Sequence, residues 1–193
     1  ASGSAKTVLL AEPYDRDIPE RFRRWDIQDY TYLREETRDA IQAWFTNDQW
    51  CLYLWGETGS RKTSFACAVL KYLRRLQHIS PESGWGEVIL SERWAQLNRQ
   101  LTEQAQVVIG TWKKARFLLF DDFGKFRDTP HLIEQSMHFI HHRYNRWKPE
   151  SKTIITANMD LNELAKRIDP ATARRIDEGL VIEMKYLKAN NKS

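Results

Sequence analysis

The stretch WCLYLWGETGSRKT, residues 50–63, decides how this chain is read. Residues 50–55 are continuously apolar, as a strand covered on both faces should be. GETGSRKT follows at once, and Phe65, Val69, Tyr72, Leu73 and Leu76 then mark one face of a helix. A loop joining a buried strand to a helix N-terminus turns backbone N–H groups and the positive end of the helix dipole toward an anion. Gly56 and Gly59 supply permissive backbone, and Glu57, Thr58, Ser60 and Arg61 fill the loop. Lys62 adds a point charge for the β/γ-phosphates, and the hydroxyl of Thr63 can ligate Mg²⁺. The pattern G-x-x-x-x-G-K-[ST] fails at one position, where Arg61 replaces the glycine that lets the backbone come close to phosphate. The Arg61 Cβ is expected to obstruct that approach while its charge offers an extra phosphate contact, so turnover is expected to weaken with binding retained.

Working outward, strand-like and helix-like segments alternate from residue 33 onward with no internal repeat. That alternation predicts an α/β fold with a doubly wound, five-stranded parallel sheet. Leu33, Thr37, Ile41, Trp44 and Phe45 precede the first strand at helical spacing. A Pro-Gly stretch (residues 81–86) leads to a short strand at Val88–Leu90. Ser91 can cap a helix carrying Trp94, Leu97 and Leu101, and a polar connection runs on to the buried strand FLLF (117–120). Thr129-Pro130 opens a helix with Ile133, Met137, Ile140, Tyr144 and Trp147 as its expected inner face. KTIITAN (152–158) is the next strand, Asp160 and Glu163 form a capping-box start, and Asp169-Pro170 begins a last helix ended by Gly179 before LVIEM (180–184).

The strand FLLF delivers Asp121 and Asp122 to its C-terminal end, the place where ligands bind in a parallel α/β sheet. There Asp121 would hold Mg²⁺ and Asp122 would orient or polarise an attacking water.

Composition bounds these readings. A chain of 193 residues suits one α/β domain, and no apolar run approaches the roughly 20 residues that cross a bilayer. Cys51 and Cys67 fall inside apolar runs and suggest buried small side chains, which fits a reducing cytoplasm. A net charge of +4, with 30 basic against 26 acidic residues, permits nucleic-acid binding without establishing it. Residues 1–15, opening ASGSA, read as a flexible tail or tag remnant, 16–49 as a linker and helix, 50–187 as the core and 188–193 as a tail.

The series GETGSRKT, FLLFDDFG, RYNRW, TIITANM and ARRIDEGL, in that order, resembles the AAA+ ATPases of the DnaC helicase-loader and IstB transposition-helper group, relatives of the initiator DnaA. The resemblance covers about residues 18 to 184, and IPERFRRWDIQDY is similar to the segment preceding the AAA+ core in these loaders. It implies a P-loop NTPase that binds ATP and Mg²⁺ and hydrolyses ATP, with Lys62 and Thr63 on phosphate and Mg²⁺, Asp121 on Mg²⁺ and Asp122 activating water. It further implies that Asn158 is the polar sensor of the γ-phosphate, and that Arg175 is an arginine finger acting in trans within a homo-oligomer, Arg174 and Arg167 being alternatives. Expected partners are single-stranded DNA and a replicative helicase, initiator or transposase. The sequence stops soon after LVIEM, where a helical lid and its sensor arginine would be expected.

Other motifs lead elsewhere. DFG at 122–124 lacks any accompanying kinase catalytic loop. His138, His141 and His142 are expected to face solvent rather than a metal. Arg93, Arg99, Lys113 and Lys114, flanked by Trp94 and Trp112, are the candidates for contact with nucleic-acid phosphates. Two rival readings stand beside the ATPase: an adaptor with a degenerate loop that does not hydrolyse ATP, and a small-molecule kinase, which leaves the DD strand end and the TIITAN and ARRI segments without a purpose.

Overall fold

Five short strands form the sheet: β1 (Cys51–Trp55), β2 (Gly86–Leu90), β3 (Phe117–Asp121), β4 (Lys152–Ala157) and β5 (Leu180–Glu183). All pair in parallel, in the order β2-β3-β4-β1-β5. The computed structural model describes residues 18–30, 33–76, 86–100, 102–126 and 129–185. The expected tails (1–15 and 188–193), Leu101 and most of the Pro-Gly stretch lie outside the described residues.

Alternation along each strand divides the core into two layers, because successive side chains of a strand point to opposite faces. Leu52, Leu54, Leu119 and Ile154 pack with Ile41 and Trp44 of α2 (Glu35–Thr46) and with the apolar face of α3 (Lys62–Leu76). Cys51, Tyr53, Leu118, Phe120 and Ile155 pack on the other face. There they meet α4 (Ser91–Gln100), α5 (Glu103–Lys114), α6 (Pro130–Asn145), α7 (Leu161–Arg167) and α8 (Pro170–Asp177). The sheet is therefore doubly wound. A four-residue helix α1 (Glu20–Arg23) and a 3₁₀ turn (Ile27–Asp29) precede α2, and Lys71 of α3 donates to the Arg23 carbonyl at 2.7 Å, fastening this leading segment to the α3 side.

Three of the expected helix starts are capped as read, whereas Ser91 is the first residue of α4 and its buried Oγ has no hydrogen-bond partner among the described residues. Thr129 accepts from the Leu132 N–H, Asp160 and Glu163 complete a capping box, and Asp169 accepts from the N–H groups of Ala171 and Thr172. Two further expectations need correction. The polar connection before β3 is helical: α5 starts at an N-cap, Thr102, and buries Ala105, Ile109 and Trp112 at helical spacing. The inner face of α6 is rotated from the expected stripe toward Leu132, Ser136, Phe139, Ile140 and Arg143, leaving Ile133, Met137, Tyr144 and Trp147 half-buried at its flank. Ser136 can face inward because it donates to the Leu132 carbonyl at 2.7 Å and accepts from Trp94 Nε1 at 3.1 Å.

Strand order places the two chemically suggestive segments. β1 and β3 are separated by β4 alone, so the loop after β1 and the Asp121-Asp122 pair after β3 open onto the same, C-terminal edge of the sheet.

Candidate functional site

The loop from Gly56 to Arg61 needs positive φ at three points: Gly56 at 147°, Gly59 at 90° and Arg61 at 65°. At Gly56 a Cβ would also lie 2.3 Å from the Met184 carbonyl oxygen, so glycine is required there. Arg61 adopts the backbone that glycine normally takes, at a cost of about 1–2 kcal/mol for an L-residue. Its side chain is exposed, and its guanidinium carbon lies 5.4 Å from the ring centroid of Trp25. The loop therefore keeps its turn with arginine at this position, and the added side chain runs to the leading segment.

Lys62 begins α3 and bends back over the loop, donating to the carbonyls of Gly56 (2.7 Å) and Glu57 (2.8 Å) and to Ser60 Oγ (3.3 Å). Burial pulls its ammonium below the ordinary lysine value, against the opposing pull of Asp122 and Asp121. Thr63 Oγ1 donates to Asp121 Oδ1 at 2.8 Å, joining the loop-helix junction directly to the end of β3. Asp121 is buried, and burial pushes its carboxyl up while the hydroxyls of Thr156 and Thr63 favour the ionised form.

Thr156 is the residue that sequence reasoning missed. Its Oγ1 donates to Asp121 Oδ1 at 2.7 Å and accepts from the Asp122 N–H at 2.8 Å, while its carbonyl accepts from the Phe123 N–H at 2.7 Å. One side chain on β4 therefore fixes both carboxylate-bearing residues after β3. A hydroxyl residue near the C-terminal end of the strand KTIITA was the available signal. Asp122 takes a left-handed backbone (φ 54°), which aspartate tolerates better than most residues, and its carboxylate is ion-paired with Lys125 at 2.7 Å. The same hydrogen-bonded pair raises the Lys125 ammonium above its ordinary value.

Around these groups lies a cleft of about 530 Å³, lined by Thr58, Gly59, Arg61, Lys62, Thr63 and Asp122 and also by Asn158 just beyond β4. Its far wall is the leading segment, where Arg24 and Trp25 take part. Thr63 and Asp121 offer hard oxygen donors of the kind that hold Mg²⁺ together with phosphate oxygens. Among the described residues, no cluster of three or more His, Cys, Asp or Glu forms a self-sufficient metal cage.

Arg175 lies apart from this cleft. It sits in the last turn of α8, its carbonyl accepts from Trp50 Nε1 at 2.6 Å beside the start of β1, and its guanidinium donates to His141 Nε2 at 2.8 Å. This places it at the N-terminal edge of the sheet, away from the Gly56–Arg61 loop of the same chain. His141 is consequently half-buried rather than solvent-facing, with its pKa lowered by burial and by Arg175. His138 is exposed as expected. Arg93 and Arg99 are exposed on α4 and Lys114 on α5, but Trp94 and Trp112 are buried core residues whose rings lie 6.4 Å apart. They are closed to stacking on a nucleic-acid base.

The parallel sheet, with its loop after β1 and its carboxylates after β3, is a fold shared with solved structures. The chain superposes on a crystal structure of the DnaC helicase loader with a TM-score of 0.68 at 21% identity, over 86% of this chain and all of that one. A crystal structure of DnaI gives 0.68 at 19% identity, over 87% and 95% of the two chains. The replication initiator DnaA bound to AMPPCP and single-stranded DNA gives 0.63 at 16%, and this chain spans about half (52%) of that one. These similarities establish a shared fold. No protein-family model matches the sequence, and no curated protein sequence matches it.

Proposed function

We propose that this chain is an ATP-binding, ATP-hydrolysing AAA+ module that acts in DNA replication as a helicase loader, or in transposition as an IstB-like helper. The observation that carries the reading is the 2.8 Å hydrogen bond from Thr63 to Asp121 beside Lys62, because phosphate and metal chemistry need those three groups at one point. In this reading Lys62 exchanges its loop carbonyls for phosphate oxygens, and Thr63 and Asp121 hold Mg²⁺. The metal would neutralise charge developing on the transferred phosphoryl group. Asp122 leaves Lys125 to polarise the attacking water, and Asn158 contacts the γ-phosphate from the end of β4. Arg175 acts on a neighbouring subunit's nucleotide, which suits its position remote from its own loop.

The partners implied are a homo-oligomer, single-stranded DNA, and a helicase, initiator or transposase. Support comes from the structural neighbours, two of which bear the names of a helicase loader and of an initiator bound to single-stranded DNA.

Arg61 favours the second reading, a module that binds ATP without turning it over. Titration with a fluorescent ATP analogue and Mg²⁺ tests the nucleotide site that both readings share, and a hydrolysis assay separates them. Saturable binding, weakened in Lys62→Ala by roughly ten- to a hundred-fold when a charged hydrogen-bond donor is removed, supports the nucleotide site. Equal affinity of parent and variant would overturn it. Faster hydrolysis by Arg61→Gly supports a loop restrained by that side chain, whereas no hydrolysis by either protein leaves the adaptor.

A further inference from the structure

At the N-terminal edge of the sheet, the ends of α5 and α6 lie beside the starts of β3 and β4 and enclose an open groove of about 580 Å³. Its lining is strongly one-sided in charge: Lys113, Lys114, Arg116, Arg143, Arg146 and Lys148 against one carboxylate, Glu150. The whole chain is nearly balanced, 30 basic to 26 acidic residues, so composition does not produce this excess.

Helix dipoles do not absorb it. Two helix C-termini carry about half a negative charge each, and with Glu150 they answer only part of the positive charge. Lys113, Lys114, Arg146 and Lys148 enter no ion pair among the described residues. Arg143 has a structural role. Buried, it donates to Thr153 Oγ1, to the Ala115 carbonyl and to the Lys152 carbonyl, all uncharged, and burial pulls its pKa down to about 10.

His142 lines the same groove and reports its potential. Its pKa is lowered by burial and then by Lys113, Arg146, Arg143 and Lys114, and its Nδ1 is buried without a hydrogen-bond partner among the described residues.

We propose that this groove is a docking site for the phosphate backbone of a nucleic-acid strand, at the end of the sheet opposite the nucleotide cleft. A phosphate chain needs spaced cations and little else. Arginine clusters also hold acidic peptide motifs, but a peptide would find here neither a free strand edge for its backbone nor an apolar groove for its side chains. β3 and β4 are each paired on both sides, and the apolar lining is limited to Ala115 and the half-buried Trp147. An aromatic ring set among cations is the combination that single-strand grooves use. The site rests on the nucleic-acid partner proposed above and gives it a location, and among the candidates read from the sequence it selects Lys113 and Lys114 over Arg93 and Arg99.

The test is fluorescence anisotropy of a labelled oligothymidylate against salt concentration. It compares the full chain with a Lys113→Ala, Lys114→Ala, Arg146→Ala, Lys148→Ala variant and with Arg93→Ala, Arg99→Ala. The groove variant should bind at least about ten-fold more weakly at low salt, with a log–log salt slope reduced by roughly 0.7 for each phosphate no longer neutralised. The α4 variant should match the parent. Should the groove variant fold poorly, Arg146→Glu with Lys148→Glu, at two exposed positions, carries the same prediction. In parallel, the NMR titration of His142, assigned through His142→Gln, should move to higher pKa when the oligonucleotide binds, because phosphate cancels the surrounding positive field.

Unchanged affinity and slope in the groove variants, no binding by the parent, or an equal His142 shift with polyglutamate would each overturn the proposal. ATP-analogue binding measured on the same variants separates this result from the nucleotide reading. Loss of oligonucleotide binding with nucleotide binding intact supports the groove, and parent protein that takes nucleotide but no oligonucleotide overturns the groove alone.

Discussion

The two edges of the sheet use cations in opposite ways. At the C-terminal edge Lys62 is wrapped by its own loop carbonyls and Lys125 is ion-paired with Asp122, so each positive charge is held by a partner that a ligand must displace. At the N-terminal edge Lys113, Lys114, Arg146 and Lys148 are set around a groove without carboxylate partners among the described residues, and Arg175 faces a neutral imidazole and an aromatic ring. The first arrangement is organised for exchange within a closed set of hydrogen bonds, where geometry decides affinity. The second is a standing positive field, where charge density and salt decide it.

Arg175→Ala puts this contrast under the greatest strain. If the N-terminal edge of one subunit completes the C-terminal edge of the next, hydrolysis should fall by on the order of 10³ or more while ATP-analogue binding is unchanged. Equal loss of both would show that Arg175 serves folding, through its contacts with Trp50, His141 and Tyr144. Conversely, hydrolysis that survives would place the two edges in separate tasks.

A smaller effect is expected at Thr156, which ties the C-terminal edge together. Thr156→Val keeps the shape but removes the hydroxyl that serves both Asp121 Oδ1 and the Asp122 N–H, so a buried carboxylate and a backbone donor lose a partner. The cost should be about 1–3 kcal/mol, read as a lower midpoint in urea with the slope unchanged. Hydrolysis should fall further than stability alone explains, because the Asp121 carboxylate and the Asp122 backbone each lose an anchor. A variant as stable and as active as the parent would mean that the strand ends are positioned by the sheet itself.

The sequence made the C-terminal edge legible and the N-terminal edge nearly illegible, for a physical reason. Apolar runs such as CLYLW and FLLF announce buried parallel strands, and the loop and carboxylates adjoin them in sequence. The groove is assembled from residues 113–116 and 142–153, which meet only because α5 and α6 end side by side. α5 itself was hidden because its buried residues, Ala105, Ile109 and Trp112, are interleaved with an exposed Val107 and with Gly110, a poor helix former, so no clean helical stripe stands out. On α6, Ser136 and Arg143 are polar yet buried, since carbonyl and hydroxyl oxygens satisfy them. A hydrophobic stripe read from residue types therefore points away from the true inner face. Likewise the residue type at Arg61 does not reveal that the chain turns left-handed there.

Acid should produce the mildest change. His141 and His142 both have lowered pKa values, through burial first and then through Arg175 for one and Lys113 with its neighbours for the other. An unfolded histidine titrates near about 6.5, so in the window just below that value the unfolded chain binds more protons than the folded one. Stability should therefore be full above about pH 6.5 and fall as pH drops through that value toward the lower folded-state pKa. Two carboxylates, Asp26 and Asp169, act in a separate window. In Asp26 burial is outweighed by Arg75 and in Asp169 by Thr172 and Ala171, so both are held down and lose their contribution only at lower pH, below about 4. Urea midpoints at about pH 7 and about pH 5.5, taken for the parent and for His141→Gln with His142→Gln, isolate the effect. The parent should lose stability between the two and the variant should lose less. An identical loss in both would show that the positive field at the N-terminal edge is weaker than its lining of lysine and arginine implies, and the contrast between the two edges would then rest on geometry alone.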